Sequence, residues 1–285
     1  MTAALSHRRA LHAGMRLPRP LNCLITALSV AVGAVAAGVV PPPVGVWWAA
    51  LAAALITGAG NTLNDVVDLG IDRINQPQRP LPRGDLGRGS ALMLALVQAL
   101  AGLGLAWWQR PQLGLVALLV IAGLVLYDLW LKRTALWGNL LVSALAAAAF
   151  PFGALAAGQL GRAWIPAGLA FLFHLAREII KDLEDLEGDR AGGARTLPLR
   201  VGVPGTARLA AGVLGVLAVF TCWPWVAGIY GWAYLAPVAG VDALLLWAAW
   251  RLLRDQGARP SAQLGRRLKW GMLLGLVAVV AGELA

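Results

Sequence analysis

Asp65, Asp68 and Asp72 lie in the stretch LNDVVDLGID, at the end of a run from Pro20 to Asn64 that carries no charge. Their i, i+3, i+7 spacing puts three carboxylates within an arc of about 60° on a helix. Like charges on one strip repel, so the strip requires a cation. Asp182, Asp185 and Asp189 repeat the spacing in EIIKDLEDLEGD, beside Glu178, Glu184 and Glu187, and the two sets hold nine of the 14 acidic residues. Carboxylate oxygens are hard ligands, and Mg²⁺ takes one or two of them together with phosphate oxygens and water. Neither set contains His or Cys, which argues against zinc. Arg73, Arg79 and Arg83 follow the first strip, and Arg177, Lys181, Arg190 and Arg195 surround the second. Carboxylates for Mg²⁺ and cations for the remaining phosphate charge are the parts of a diphosphate-binding site. Ordinary solvated loop charges would account for one aspartate, but not for two matched triads.

The elements that position these strips are membrane helices. The chain of 285 residues is 59% hydrophobic and 13% charged, with a mean hydropathy of +0.69. A soluble domain is nearer a quarter charged, so composition alone indicates a membrane protein, and its long apolar runs make the expected fold class all-α. Nine spans are expected, at about 20–40, 44–64, 90–108, 112–131, 136–157, 163–182, 207–222, 226–250 and 268–284. With the N-terminus inside, 22 of the 24 Lys and Arg fall on the inner side, and only Arg110 and Arg162 fall outside. The net charge of +10 is therefore read as topology, and no nucleic-acid partner is expected. Each triad closes the inner end of an even-numbered span. Residues 1–285 thus read as a single integral-membrane domain of two related halves, about 20–131 and 136–250, with a ninth helix at about 268–284. The N-terminus leads into a full-length span, so a cleavable signal peptide is not expected. Cys23 and Cys222 have no metal or disulfide spacing.

Two loops follow the strips. Three prolines stiffen INQPQRPLPRG, residues 74–84, and glycines in GDRAGGARTLPLRVG, residues 188–202, allow close approach to a ligand. Both could cover one cavity mouth, or simply connect helices. Asp242 lies deep in the eighth span, where a carboxyl is either functional or bonded to a neighbouring helix. Asp128 can pair with Lys132 at i+4, and His174 is read as a packing residue.

At these residues the chain resembles the UbiA superfamily of intramembrane prenyltransferases. Asn64, Asp65, Asp68 and Asp72 match its NDxxDxxxD motif, and Asp72 to Gly84 match the DRxNxPxRPLPxG that follows. Asp182, Asp185 and Asp189 match DxxDxxxD. RPLN at Arg19 to Asn22 and Tyr127 with Lys132 in YDLWLKR agree as well. The resemblance implies nine helices around a central cavity that opens to the cytoplasmic face of the cell membrane. It implies Mg²⁺ on the six aspartates, a polyprenyl diphosphate donor, and Arg79, Lys132 and Lys181, with Tyr127 in the catalytic set. Asn22, Asn64, Arg73, Arg177 and Glu178 would bind substrate. The wording of Arg177 to Pro198 is most similar to the branch that prenylates the sn-2 hydroxyl of a prenylglyceryl phosphate. The implied reaction is transfer of a geranylgeranyl group in ether-lipid synthesis, from the diphosphate to this lipid-associated, amphiphilic acceptor. Glu178, Glu184 or the departing diphosphate would take the proton.

Aromatic C-prenylation or chlorophyll-type esterification is the alternative within the superfamily, because the EGD core is shared with those branches. A secondary transporter is the rival of another class, but its charges belong near the midplane on broken helices. A CDP-alcohol phosphotransferase would need DxxDGxxAR, which is absent here.

Overall fold

The structure is a computed structural model that describes the backbone of residues 2–255 and 258–285 and the side chains of residues 9–255 and 261–285. Arg8 and Arg259, two of the inner charges in the topology argument, lie outside the described side chains. Among the described residues there are α-helices and two short 3-10 turns, with no strand. The helices are α1 (Thr2–Arg16), α2 (Pro20–Ala36), α3 (Val44–Val67), α4 (Leu69–Asn75), α5 (Arg88–Gln109), α6 (Pro111–Leu129) and α7 (Trp137–Ala147). They continue with α8 (Ala149–Ala156), α9 (Trp164–Glu184), α10 (Leu186–Ala191), α11 (Leu197–Val226), α12 (Leu235–Arg254) and α13 (Ala258–Leu284).

Seven helical stretches among the described residues are long and apolar enough to cross a membrane. They correspond to α2, α3, α5, α6, α7 with α8, α11 and α12. The sixth and ninth expected spans are helical too, as α9 and α13, but fall short in apolarity. Arg177, Glu178 and Lys181 interrupt the first, and Arg267, Lys269 and Glu283 the second. The reason is packing. One face of α9 is buried: Ile179, Ile180 and Leu183 form a core with Leu214 and Leu217 of α11, Leu245 of α12 and Leu268 of α13. A helix enclosed by others can carry charge on its remaining face if that face lines a cavity.

Small residues let the helices close up. A Cβ at Gly33 of α2 would collide with the carbonyl oxygen of Phe150, and one at Gly153 of α8 with that of Val30. Two backbones thus touch directly, as membrane helices do where lipid supplies no hydrophobic drive. Of the 13 tryptophans, only Trp247 is absent from the exposed large side chains. The rest face outward, where an amphipathic ring can meet an interface.

The acidic strips differ from the expected geometry in one respect. Neither lies on a continuous helix. α3 ends at Val67, and Asp68 (φ −84, ψ 3) leads into α4. α9 ends at Glu184, and Asp185 (φ −91, ψ 3) leads into α10. The backbone ladder runs on through both bends, with Asp72 N–H donating to Asp68 O at 2.7 Å and Asp189 N–H to Asp185 O at 3.0 Å. The 60° arc therefore does not apply: each strip hinges on its middle aspartate. Aspartate is a poor helix-interior residue, and bending separates like charges that a straight helix would stack.

Asp242 has a partner on a neighbouring helix. Thr221 Oγ1 of α11 donates to its Oδ1 at 2.7 Å, so it joins α12 to α11.

Candidate active site

The two bends face one another. Asn75, the last residue of α4, donates Nδ2–H to Asp185 O at 3.0 Å and accepts from Gly188 N–H at 3.0 Å. Gln76 Nε2 donates to Glu184 Oε1 at 3.0 Å. The loop read as a cap or a plain connector thus begins as a clasp between the two bends. It is anchored by Leu81, which is buried with Leu17, Val66 and Ala91. The second loop is tied down by Arg195 N–H donating to Arg133 O at 2.8 Å, just beyond α6.

Cations saturate the first strip. Arg79 Nη1 lies 2.8 and 2.7 Å from the two oxygens of Asp72 and 3.3 Å from Asp65. Arg19 Nη2 lies 2.5 Å from Asp65, and Lys132 Nζ 2.5 Å from Asp68. Arg19 holds a left-handed backbone (φ 55), which is strained for a residue with a side chain. Its RPLN context was legible in the sequence, but its role as a partner of Asp65 was not.

The second strip has fewer partners. Lys181 Nζ is 3.7 Å from Asp185, and Asn139 Nδ2 donates to Asp182 at 3.0 Å. Asn139 was not among the expected residues. Near the first strip, Asn64 Nδ2 donates to buried Asp128 at 2.8 Å. Lys132 lies closer to Asp68 than to Asp128, which is 3.8 Å away, so the i+4 pair is the weaker contact.

Burial keeps the Asp72 carboxyl above the usual carboxylate range despite Arg79 beside it. Burial, and then Asp185 nearby, push Asp189 up to about 6. For Arg79, Asp72 and Asp65 outweigh burial, which acts the other way, and hold the guanidinium more firmly protonated.

Behind the mouth lies a cavity of about 200 Å³. Its polar wall comes from Arg19, Asn22, Asn64, Tyr127, Asp128, Arg177, Glu178 and Lys181. Ile56 on α3 and Val116 and Val120 on α6, farther along the same helices, make the apolar wall. A second cavity of about 80 Å³ adjoins it, with His174 and Met272 shared by both. Arg73 is not brought into this group: it is exposed on α4 and makes no ion pair among the described residues. Nor do three carboxylates converge into a ready metal cage among the described residues.

The donor set nevertheless fits Mg²⁺. It is all hard oxygen, and this ion completes its shell with water and phosphate rather than with a full protein cage. The second strip, with one cation within 4 Å among the described residues, keeps negative charge available for it.

Fold and site together define a polytopic membrane protein with two clasped acidic bends at the mouth of a largely apolar cavity. The chain belongs to the UbiA prenyltransferase family, whose profile matches residues 23–275. It is 40% identical over 276 residues to the digeranylgeranylglyceryl phosphate synthase of Methanopyrus kandleri, covering 96% of this chain and all of that one. A solved structure reported as giving structural and mechanistic insights into a digeranylgeranylglyceryl phosphate synthase in membranes superposes with a TM-score of 0.73. It is 26% identical and covers 96% of this chain and 98% of that one. A UbiA homologue from Archaeoglobus fulgidus, bound to GPP and Mg²⁺, has the same fold, with a TM-score of 0.66 at 16% identity. That match covers 94% of this chain and 99% of the other.

Proposed function

We propose that the chain transfers a geranylgeranyl group, with Mg²⁺, from its diphosphate to the hydroxyl of a prenylglyceryl phosphate. The observation that carries this reading is the pair of clasped acidic bends over an apolar cavity. The acceptor is carried by the full-length similarity to the Methanopyrus synthase.

In this reading Asp65, Asp68, Asp72, Asp182, Asp185 and Asp189 hold Mg²⁺, which when bound neutralises charge on the diphosphate as a Lewis acid. Arg79, Lys132 and Lys181 stabilise the charge that grows on the bridging oxygen as the allylic C–O bond breaks. That bond's electrons leave with the diphosphate, and an allylic cation remains. Tyr127 presents a polarisable wall to the cation, and Asn22 and Asn64 orient the substrates. The apolar walls exclude water, which would otherwise capture the cation. The acceptor oxygen forms the new C–O bond and loses its proton. Glu178 lines the cavity and takes that proton. Glu184, the other carboxylate considered, does not line the cavity and is bonded to Gln76 at the clasp. The two bends at Asp68 and Asp185 support two related halves in one domain, and the distribution of Lys and Arg along the sequence supports nine spans with the N-terminus and the cavity mouth on the cytoplasmic side of the membrane.

The test is diphosphate release by Asp68→Ala and Asp185→Ala. Each should lose at least about 100-fold in kcat/KM, as when a charge-stabilising group is removed. Wild-type turnover in either variant removes that residue from the metal set.

A further inference from the structure

The principal cavity contains more positive charge than the diphosphate site uses. Arg19, Arg177, Lys181 and Lys269 line it, against Asp128 and Glu178. Arg19 and Lys181 turn to the acidic strips, on Asp65 and Asp185. The remaining two do not. Arg177 Nη1 meets Glu178 at 2.9 Å, yet its Nε is buried without a hydrogen-bond partner. Lys269, on α13, makes no ion pair among the described residues. The charged groups around it are Arg177, Arg19, Glu178 and Glu184. Arg79 and Lys132, the cations of the first strip, do not line this cavity.

Cations with too few counter-charges are unfavourable inside a membrane protein unless an anion joins them. With Arg19 and Lys181 paired to Asp65 and Asp185, and Arg177 to Glu178, the unanswered groups are the Lys269 ammonium and the buried Nε–H of Arg177, which suit an anion with several acceptor oxygens such as a phosphate monoester. A neutral alcohol or an aromatic ring would leave that charge unanswered. Resting on the acceptor reading above, we infer that Lys269 and Arg177 form a phosphate-monoester subsite for the acceptor, distinct from the diphosphate site. The hydroxyl to be alkylated is on the carbon next to the phosphate-bearing one. Holding the phosphate therefore orients the nucleophile, which makes Lys269 a positioning and specificity residue that acts before any bond is broken.

The same phosphate chemistry could come from the donor, so the experiment separates the two. The full chain in liposomes receives geranylgeranyl diphosphate with either geranylgeranylglyceryl phosphate or the same lipid without its phosphate. Lys269→Gln should raise KM for the phosphorylated acceptor about 10- to 100-fold, the effect of losing one charged hydrogen bond. Donor KM and turnover of the dephosphorylated acceptor should stay within about twofold, and Lys269→Arg should recover most of the loss. A rise in donor KM instead, or an unchanged acceptor KM, overturns the subsite. Should Lys269→Gln fail to fold, inorganic phosphate is tested on the wild type. It should compete with the phosphorylated acceptor and not with the donor, and absence of that competition overturns the subsite. If the wild type makes no product from either glycerol lipid, the acceptor reading falls and takes the subsite with it. Product with an unmoved Lys269→Gln acceptor KM refutes the subsite alone.

Discussion

Replacing Asn75 by alanine should loosen the joint between the two acidic bends without removing a charge. Its side chain makes two hydrogen bonds across that joint, one to the carbonyl of Asp185 and one from the N–H of Gly188, both at 3.0 Å. A neutral hydrogen bond contributes about 1 kcal/mol net, so the pair holds the facing arrangement by about 2 kcal/mol, or roughly 30-fold. Asn75 is only half-buried, so water recovers part of this. If Mg²⁺ needs both strips in register, half-saturating Mg²⁺ in a diphosphate-release assay should rise about 10-fold, while saturating Mg²⁺ restores most of kcat. Gly188→Ala attacks the joint from the other side. Its Cβ would collide with Asn75 Nδ2 and lie 2.7 Å from Ile71 Cγ2, so it should give the same phenotype. Wild-type Mg²⁺ dependence in both variants would refute the idea that the clasp sets the register of the strips.

Arg73→Ala should change kcat/KM by less than about twofold because Arg73 is exposed and unpaired among the described residues. Arg79→Ala, which strips Asp72 of its cation and leaves Asp65 with Arg19 alone, should lose about 100-fold or more; steady-state kinetics of both variants decide which arginine serves the diphosphate. The Asp189 carboxyl, raised to about 6 by burial and then by Asp185, gives a pH signature. Its raised folded-state value means that the proton stabilises the metal-free fold; that contribution is full below the ordinary carboxylate range and fades as pH rises through about 6. Mg²⁺ needs the ionised form, so half-saturating Mg²⁺ should climb by up to about tenfold per pH unit below 6 and level off above about 7. A flat titration between about pH 5 and 7 would remove Asp189 from the metal set.

What the sequence made legible was periodic or charged. Apolar runs located helices at all nine expected segments, although charges interrupt the sixth and ninth. The matched Asp triads located the site, because charges at an apolar helix end have few structural explanations. What stayed hidden depended on tertiary contact. The bends at Asp68 and Asp185 alter one backbone angle without leaving a proline or glycine at the bend itself. Asn75, Asn139 and Arg19 look like ordinary loop or helix-end residues until α4 meets α10 and α2 meets α3. Arg73 stands apart from the other cations for the converse reason. It adjoins Asp72 in the chain, but on a helix neighbouring positions point about 100° apart.

The central claim is that the cavity joins a geranylgeranyl group to a glycerol hydroxyl. Its most direct test is the purified protein in liposomes with Mg²⁺, geranylgeranyl diphosphate and a mixture of geranylgeranylglyceryl phosphate with aromatic acids and quinone precursors, the products being identified by mass. The account predicts digeranylgeranylglyceryl phosphate as the main product, with one diphosphate released for each ether bond formed and no product without Mg²⁺. A prenylated aromatic as the main product, or an untouched donor in the presence of Mg²⁺ and the glycerol lipid, would contradict it.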